Sequence, residues 1–245
     1  MPFEENNIPG TDTENHSRWK WKQRIMRLRE KGIVYLFQRI RVRTYTLYRE
    51  HQLGISTRGF IPWYELCSEK QNHDYDPTVY PLLDRLMQYV KQAVPEPFVV
   101  DYGAGKGRTI AVAGTYPFKG VIGVELNHEL AVIAQDNLNK AQQKFSCPQV
   151  EIVQENAMDW QFPDEANVVF MFNPFSGEVM QTVLDQIQVS LNNHPRKLKI
   201  LFVYPHKLIG NPLIEQSWLR QEAEVDTGTE EHLRCYIYDA GEINQ

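Results

Sequence analysis

The chain has few cysteines, and their spacing argues against two kinds of small stabilised domain. Cys67, Cys147 and Cys235 are far apart, odd in number and include no Cys-x-x-Cys pair. A disulfide framework or a zinc site normally needs paired, closely spaced cysteines. The sequence therefore predicts neither a disulfide framework nor a metal site. It predicts that the protein works in a reducing compartment.

Long apolar runs are also lacking. No run approaches the ~20 residues that a membrane-spanning helix requires. The first fifteen residues are polar and acidic, unlike a signal peptide. We expect a soluble, cytoplasmic protein, and the 42% apolar content is enough for a real core.

Positive charge is scarce outside one segment. Residues 1–15 carry four acids and no Lys or Arg, whereas residues 16–50 carry 11 Lys and Arg against two acids. This leaves 15 of the 26 basic and 25 of the 31 acidic residues for 51–245. Three interpretations of the basic arm, residues 18–49, are open: it binds nucleic acid, lies on an anionic membrane surface, or packs its apolar stripe on the acidic domain.

Hydrophobic periodicity divides the chain into three parts. These are a disordered tail (1–16), a basic helical N-terminal extension (17–74) and a domain (75–245) in which apolar runs alternate with helical patterns. Strands are predicted at 98–101, 121–125, 149–153, 167–172 and 198–204, helices at about 80–93, 105–115, 127–144, 177–192 and 206–218, and an antiparallel pair at 223–226 and 233–238. The pattern is typical of an α/β fold with a mostly parallel, Rossmann-like sheet.

The most informative segment is FVVDYGAGKGRTI, residues 98–110. An apolar run ends at Asp101, and glycines follow at 103, 105 and 107. Glycines let the backbone turn sharply and let a ligand lie against bare amides. Lys106 and Arg108 flank these glycines and are expected to be solvated.

Polar side chains stand at the ends of the later strands as well. Glu125 follows Gly103 by 22 residues, where a carboxylate can accept hydrogen bonds from both hydroxyls of a ribose. Asn156 and Asn173 end the next two apolar runs. We expect these residues to form one rim, because open α/β sheets bind ligands at the carboxyl ends of their strands.

Together these motifs resemble the class I S-adenosylmethionine (SAM) methyltransferases, over about residues 75–240. GKGR after Asp101, FNPF at 172–175 and the Gly-Ile-x-Thr-x-Gly pattern at 54–59 resemble a bacterial group of these enzymes. The resemblance extends more distantly to lysine methyltransferases of the Dot1 type and of mitochondria. It implies a seven-stranded sheet with an antiparallel C-terminal strand, and SAM as the cofactor.

The resemblance also implies roles for individual residues. The acceptor amine would meet three consecutive residues at the end of the fourth strand, and the cofactor would meet the glycine loop, two strand ends and a lid tyrosine. The acceptor residues are Asn173, Pro174 and Phe175; the cofactor residues are Asp101, Gly103, Ala104, Gly105, Gly107, Glu125, Asn156, Ala157 and Tyr75. Tyr80 is a second lid candidate. Many relatives have Asp-Ala where this chain has Asn156-Ala157, so the adenine contact has an uncharged acceptor here.

The function expected from the resemblance is methyl transfer from SAM to a nitrogen, with a protein lysine as the acceptor. Two alternatives are a nucleic-acid or small-molecule N-methyltransferase and a SAM-binding module without catalysis. A dehydrogenase would also use Glu125, but its loop would read Gly-x-Gly-x-x-Gly.

Overall fold

The chain divides into two units, Met1–Thr44 and Tyr45–Gln245. The computed structural model describes residue 32 and residues 35–62, 75–204, 211–226 and 234–240. In the first unit, residues 35–44 are helical. The predicted disordered tail and much of the predicted extension lie outside the described residues, so the boundary at residue 75 stays a prediction.

The second unit is built from alternating strands and helices, as the sequence pattern predicts. Its helices are α1 (residues 45–53), α2 (Tyr80–Ala93), α3 (Arg108–Gly114), α4 (His128–Ala141) and α5 (Gly177–Asn193). Its strands are β1 (Phe98–Tyr102), β2 (Gly120–Glu125), β3 (Val150–Gln154), β4 (Val168–Phe172), β5 (Leu198–Tyr204), β6 (Leu219–Asp226) and β7 (Arg234–Ala240).

Local sequence explains where several helices begin and end. At the start of α4 the Asn127 side chain accepts a hydrogen bond from the Leu130 N–H, which satisfies one of the free amides of the first turn. Helix α2 ends at Ala93, just before Pro95 and Pro97, because proline cannot continue a helix.

The seven strands form one sheet in the order β3-β2-β1-β4-β5-β7-β6. Strands β1 to β5 are parallel, whereas β7 is antiparallel to both of its neighbours, β5 and β6. The predicted seven-stranded class I methyltransferase sheet is therefore confirmed. Its strand order reverses between β1 and β4, and ligands bind such sheets in the crevice at this point.

Helices cover both faces of the sheet and create two apolar clusters. One lies between the sheet and helices α2 and α3, and the other between the sheet and α5. Strands β1 and β2 are buried along their whole length. Such rigid strands fix the positions of the residues at their ends.

One predicted helix is wrong where it can be compared. Residues 211–218 form turns, and residues 205–210 lie outside the described part. The Asn211 side chain explains the turn, because it accepts from the Leu213 N–H and donates to the Tyr238 hydroxyl. Strand β6 consequently starts at Leu219, four residues earlier than predicted.

Within the described ranges, no helix combines the length and apolar character needed to cross a membrane. The same ranges contain no group of His, Cys, Asp and Glu side chains suited to a metal ion.

Candidate active site

A cavity lies at the carboxyl ends of β1, β2 and β4, where the strand order reverses. It holds about 1030 Å³ of space, including its open mouth. Its walls come from the segment before α2, the glycine loop, the ends of β2 and β3 and the turn after β4. Of the predicted site residues, those lining it are Tyr75, Asp101, Gly103, Ala104, Gly105, Glu125, Asn156, Ala157, Pro174 and Phe175.

The glycine loop is packed closely on both sides. Gly103 has φ +73°, and a Cβ there would lie 2.6 Å from Cβ of Pro174. A Cβ on Gly105 would collide with the ring of Tyr75. Gly107, by contrast, is not in the cavity wall; it packs against Ala134 of α4. The structure thus brings the first two glycines to the cavity, while the third one permits helix packing.

The Glu125 carboxylate joins the glycine loop to the start of α4. It accepts hydrogen bonds from the N–H groups of Gly105 (2.7 Å) and Asn127 (2.9 Å). The side chain is buried, and burial raises the pKa of Glu125 against the opposing effect of these backbone bonds. The Leu126 N–H also donates to this carboxylate. A carboxylate offers about four lone-pair sites, so capacity remains to accept from a ligand hydroxyl.

Asp101 is a second buried carboxylate in the same cavity. Burial raises the pKa of Asp101 well above its ordinary value; its hydrogen bond with Thr109 opposes this shift, and the nearby Glu125 charge adds to it. Two buried acids this close together favour a cationic or hydrogen-donating ligand, because such a ligand would relieve their repulsion.

Asn156 lines the cavity through a side chain that is already partly engaged. Its Oδ1 accepts from the Met158 N–H at 3.0 Å. The Asn156 NH₂ group remains as the donor, so this side chain is better placed to donate to a ligand than to accept from one.

The Asn173-Pro174-Phe175 turn follows β4 directly. Asn173 has φ +40°, a left-handed conformation that few non-glycine residues adopt and that clusters at functional sites. It is half-buried and is not part of the cavity wall, although Phe172 and Pro174 on either side of it are. Phe175 is buried and packs edge-on against Tyr102, with the ring centroids 6.1 Å apart.

The segment before α2 forms the opposite wall. Tyr75 to Thr78 line the cavity, and the Tyr75 hydroxyl donates to the Thr57 carbonyl at 2.5 Å. Tyr80, the other lid candidate, is fully buried in α2 and lies outside the cavity lining.

Arg108 is a further residue whose surroundings differ from the prediction. Instead of being solvated it is 5% exposed and lines the cavity. Its guanidinium lies 4.6 Å from the Tyr80 ring centroid and donates to the Thr57 hydroxyl at 2.7 Å. The only signal in the sequence was its place in the GKGR motif. Asp76, Thr109 and Glu155 also line the cavity and were not predicted.

A family model described as a methyltransferase domain matches residues 99–194. The match runs from β1 to the end of α5 and so includes the glycine loop, Glu125 and the turn after β4. Over this part the chain is similar to SAM-dependent methyltransferase domains, and its sheet has the fold of the class I enzymes. SAM is the cofactor of that class, and the residues present fit it: Gly103 and Gly105 present backbone without side chains to the cavity, and the buried carboxylates of Asp101 and Glu125 line it.

Solved structures show the same fold at low sequence identity. An RNA methyltransferase from Salinibacter ruber, in complex with S-adenosyl-L-homocysteine, is 20% identical with a TM-score of 0.50; the match covers 69% of this chain and 97% of that one. The Pyrococcus abyssi tRNA (uracil-54, C5)-methyltransferase, also in complex with S-adenosyl-L-homocysteine, is 14% identical with a TM-score of 0.51, covering 68% and 42%. No curated protein matches the chain significantly in sequence.

Proposed function

We propose that the methyltransferase domain transfers a methyl group from SAM to the side-chain nitrogen of a protein lysine. The observation that carries this proposal is the charge of the cavity lining. Four acids, Asp76, Asp101, Glu125 and Glu155, line the cavity together with one base, Arg108. Because Arg108 lies 3.4 Å from the buried Glu50 carboxylate, it adds little net positive charge.

An acidic cavity favours a cationic side chain and disfavours a phosphate-rich polymer. Opposite charges attract at the mouth of a cleft, and like charges raise the cost of entry. The rest of the unit has the same sign, since residues 51–245 carry 25 acids and 15 bases. The cavity would therefore attract a protein that carries an exposed lysine and repel a nucleic acid.

The residues proposed to hold the cofactor lie on three strand ends. Glu125 would accept the ribose hydroxyls with its remaining lone pairs, and Asp101 lies in the same cavity beside the glycine loop. The Asn156 amide would donate to an adenine ring nitrogen, and Ala157 beside it would leave room for the base. Tyr75 would close the cavity from the other wall.

The acceptor would be held by the turn after β4. Bound SAM would supply an electrophilic methyl group to the nitrogen lone pair, and the electron pair of the broken bond would stay on sulfur. The Asn173 amide oxygen and the Pro174 carbonyl would accept the amine N–H groups and orient that lone pair. Neither group is a strong base, so the amine must reach the cavity neutral or lose its proton to water.

A labelling experiment tests the acceptor. Purified protein, SAM with a radioactive methyl group and cell lysate are incubated, and the product is treated with nuclease or protease before separation. We expect the label to survive nuclease, to be lost with protease, and to be recovered as methylated lysine.

Two asparagine variants make the test specific. Asn173→Ala should lower labelling by about 10²-fold, the usual effect of losing a group that orients the transition state, and should leave cofactor affinity nearly unchanged. Asn193→Ala, at an exposed position at the end of α5, should label at the wild-type rate. Equal labelling by both variants would place the acceptor site elsewhere.

A nucleic-acid acceptor is the second candidate, supported by the first unit. Residues 35–44 expose Arg39, Arg41 and Arg43, and exposed arginines bind phosphates. Label that survives protease, is lost with nuclease and weakens steeply with salt would favour this candidate over protein lysine.

A further inference from the structure

A buried arginine links the wall of the cavity to residues far away in the sequence. The Arg108 Nη1 donates to the carbonyls of Thr78 (3.0 Å) and Pro77 (3.4 Å), both of which belong to cavity-lining residues. On its other side, Nε donates to the Thr57 hydroxyl at 2.7 Å. One guanidinium therefore holds the loop after α1 and the segment before α2 in a single arrangement.

The charge of this arginine is balanced by Glu50 of α1. The Glu50 Oε1 accepts from the N–H (2.9 Å) and the hydroxyl (2.8 Å) of Thr57, and it lies 3.4 Å from Arg108 Nη2. Arg58 approaches the other oxygen at 2.7 Å. Glu50, Thr57 and Arg108 are all buried, and a buried ion pair is weak evidence for stability alone, because desolvation offsets its attraction.

The same cluster fixes the tyrosine that touches the glycine loop. The Tyr75 hydroxyl donates to the Thr57 carbonyl, and the Tyr75 ring packs on Gly105. The Tyr75 backbone is held by two hydrogen bonds with Ile61, of 2.8 and 3.0 Å. The Tyr75–Thr78 segment is thus held at both ends. Thr57 and Ile61 hold Tyr75, and Arg108 holds the carbonyls of Pro77 and Thr78.

We propose that Arg108, with Glu50 and Thr57, is a positioning cluster that sets how tightly and how long the domain holds its cofactor. The cluster keeps the Tyr75–Thr78 wall against the glycine loop before the cofactor arrives, which lowers the ordering cost of binding. Helix α1 and the Gly-Ile-x-Thr-x-Gly pattern at 54–59 thereby become part of the cofactor site. This inference rests on the proposed use of SAM but not on the identity of the acceptor.

A second arginine in the same unit provides a matched control. Arg196 also donates to carbonyls, at 2.7 Å to Ala166 and 2.8 Å to His194, and its guanidinium lies 5.8 Å from the Phe162 ring centroid. None of these residues lines the cavity. Arg→Lys at either position keeps the charge but loses the planar set of donors.

The experiment compares Arg108→Lys with Arg196→Lys by calorimetric titration with S-adenosylhomocysteine and by thermal unfolding. Both variants should unfold at a lower temperature than the wild type. Arg108→Lys should weaken binding by about tenfold or more, as expected when charge-assisted hydrogen bonds are lost, and should release the ligand faster. Arg196→Lys should bind within about twofold of the wild type, since a remote site is energetically independent.

Thr57→Val gives a second measurement if Arg108→Lys folds poorly. It keeps the side-chain shape, removes both hydroxyl bonds and changes no cavity-lining residue. It should also weaken binding by about tenfold. Wild-type affinity in both Arg108→Lys and Thr57→Val, or equal weakening in Arg196→Lys, would overturn the inference. Failure of the wild type itself to bind S-adenosylhomocysteine would instead overturn the proposed function, and this inference with it.

Discussion

Two glycines with the same backbone conformation allow the effect of packing to be separated from the effect of φ. Gly103, in the glycine loop, and Gly54, after α1, both have φ +73°. A Cβ on Gly54 would meet only the Lys140 carbonyl oxygen, at an ordinary 3.8 Å, whereas a Cβ on Gly103 would lie 2.6 Å from Cβ of Pro174. Gly→Ala at either position therefore imposes the same backbone strain but different steric contact.

The expected magnitudes follow from these two terms. Left-handed φ costs a residue with a Cβ about 1–2 kcal/mol, so Gly54→Ala should lower the free energy of unfolding by about that amount. Gly103→Ala carries the same cost plus about 1–3 kcal/mol for overpacking against Pro174. The predicted difference between the two variants is that second term.

Urea unfolding followed by intrinsic fluorescence measures the difference directly. Gly103→Ala should also reduce methyl transfer, since Pro174 can yield only by moving the turn that we assign to the acceptor. Gly54→Ala should keep its activity. Equal free energies of unfolding for the two variants would refute the close contact between the glycine loop and this turn.

Three further predictions concern the same cavity. Glu125→Ala should weaken SAM binding by about 1.5–3 kcal/mol, the range for a hydrogen bond to a charged group. Calorimetry would measure this loss, and a smaller loss of binding free energy would contradict the assignment of Glu125 to the ribose. Phe175→Leu should raise the Michaelis constant of the acceptor more than it lowers turnover in steady-state kinetics; a fall in turnover alone would argue against acceptor contact. Burial raises the native pKa of Asp101 above its ordinary 3.8, so the folded protein binds this proton more tightly than the unfolded chain does. In the protein without cofactor, the Asp101 contribution to the free energy of unfolding should therefore decrease as pH rises from about 4 through the native pKa. Urea titrations at a series of pH values should show this decrease in the wild type and not in Asp101→Asn. An identical pH dependence in both proteins would contradict the prediction.

The sheet could be predicted because its strands obey a simple local rule. Strands β1 and β4 are buried, so each is a short apolar run that ends abruptly in a polar or turn-forming residue. Those polar ends meet at one edge of a parallel sheet whatever the details of the loops. Asp101, Glu125, Asn156 and Asn173 were accordingly expected to share a rim. The first three line one cavity, whereas Asn173 is not part of its lining.

The burial of Arg108 could not be predicted, because its partners are remote. Glu50 is 58 residues away and Thr57 is 51 residues away. An arginine beside glycines at a helix start is usually solvated, and only tertiary packing brings a carboxylate, a hydroxyl and two carbonyls to it. The helix predicted near 206–218 failed for a related reason: a side-chain bond from Asn211 to Tyr238 of β7 holds the turn, and the sequence of the segment does not reveal that partner.

The position of β7 has a consequence for how the chain acquires its structure. Strand β7 comes last of the seven along the chain, yet it lies inside the sheet, paired with β5 on one side and β6 on the other. During synthesis, β6 emerges first and has no partner strand until residues 234–240 follow it. Until then one edge of β5 and both edges of β6 lack a partner. A ribosome that stalls before residue 234 would leave these edges exposed, and exposed strand edges promote aggregation.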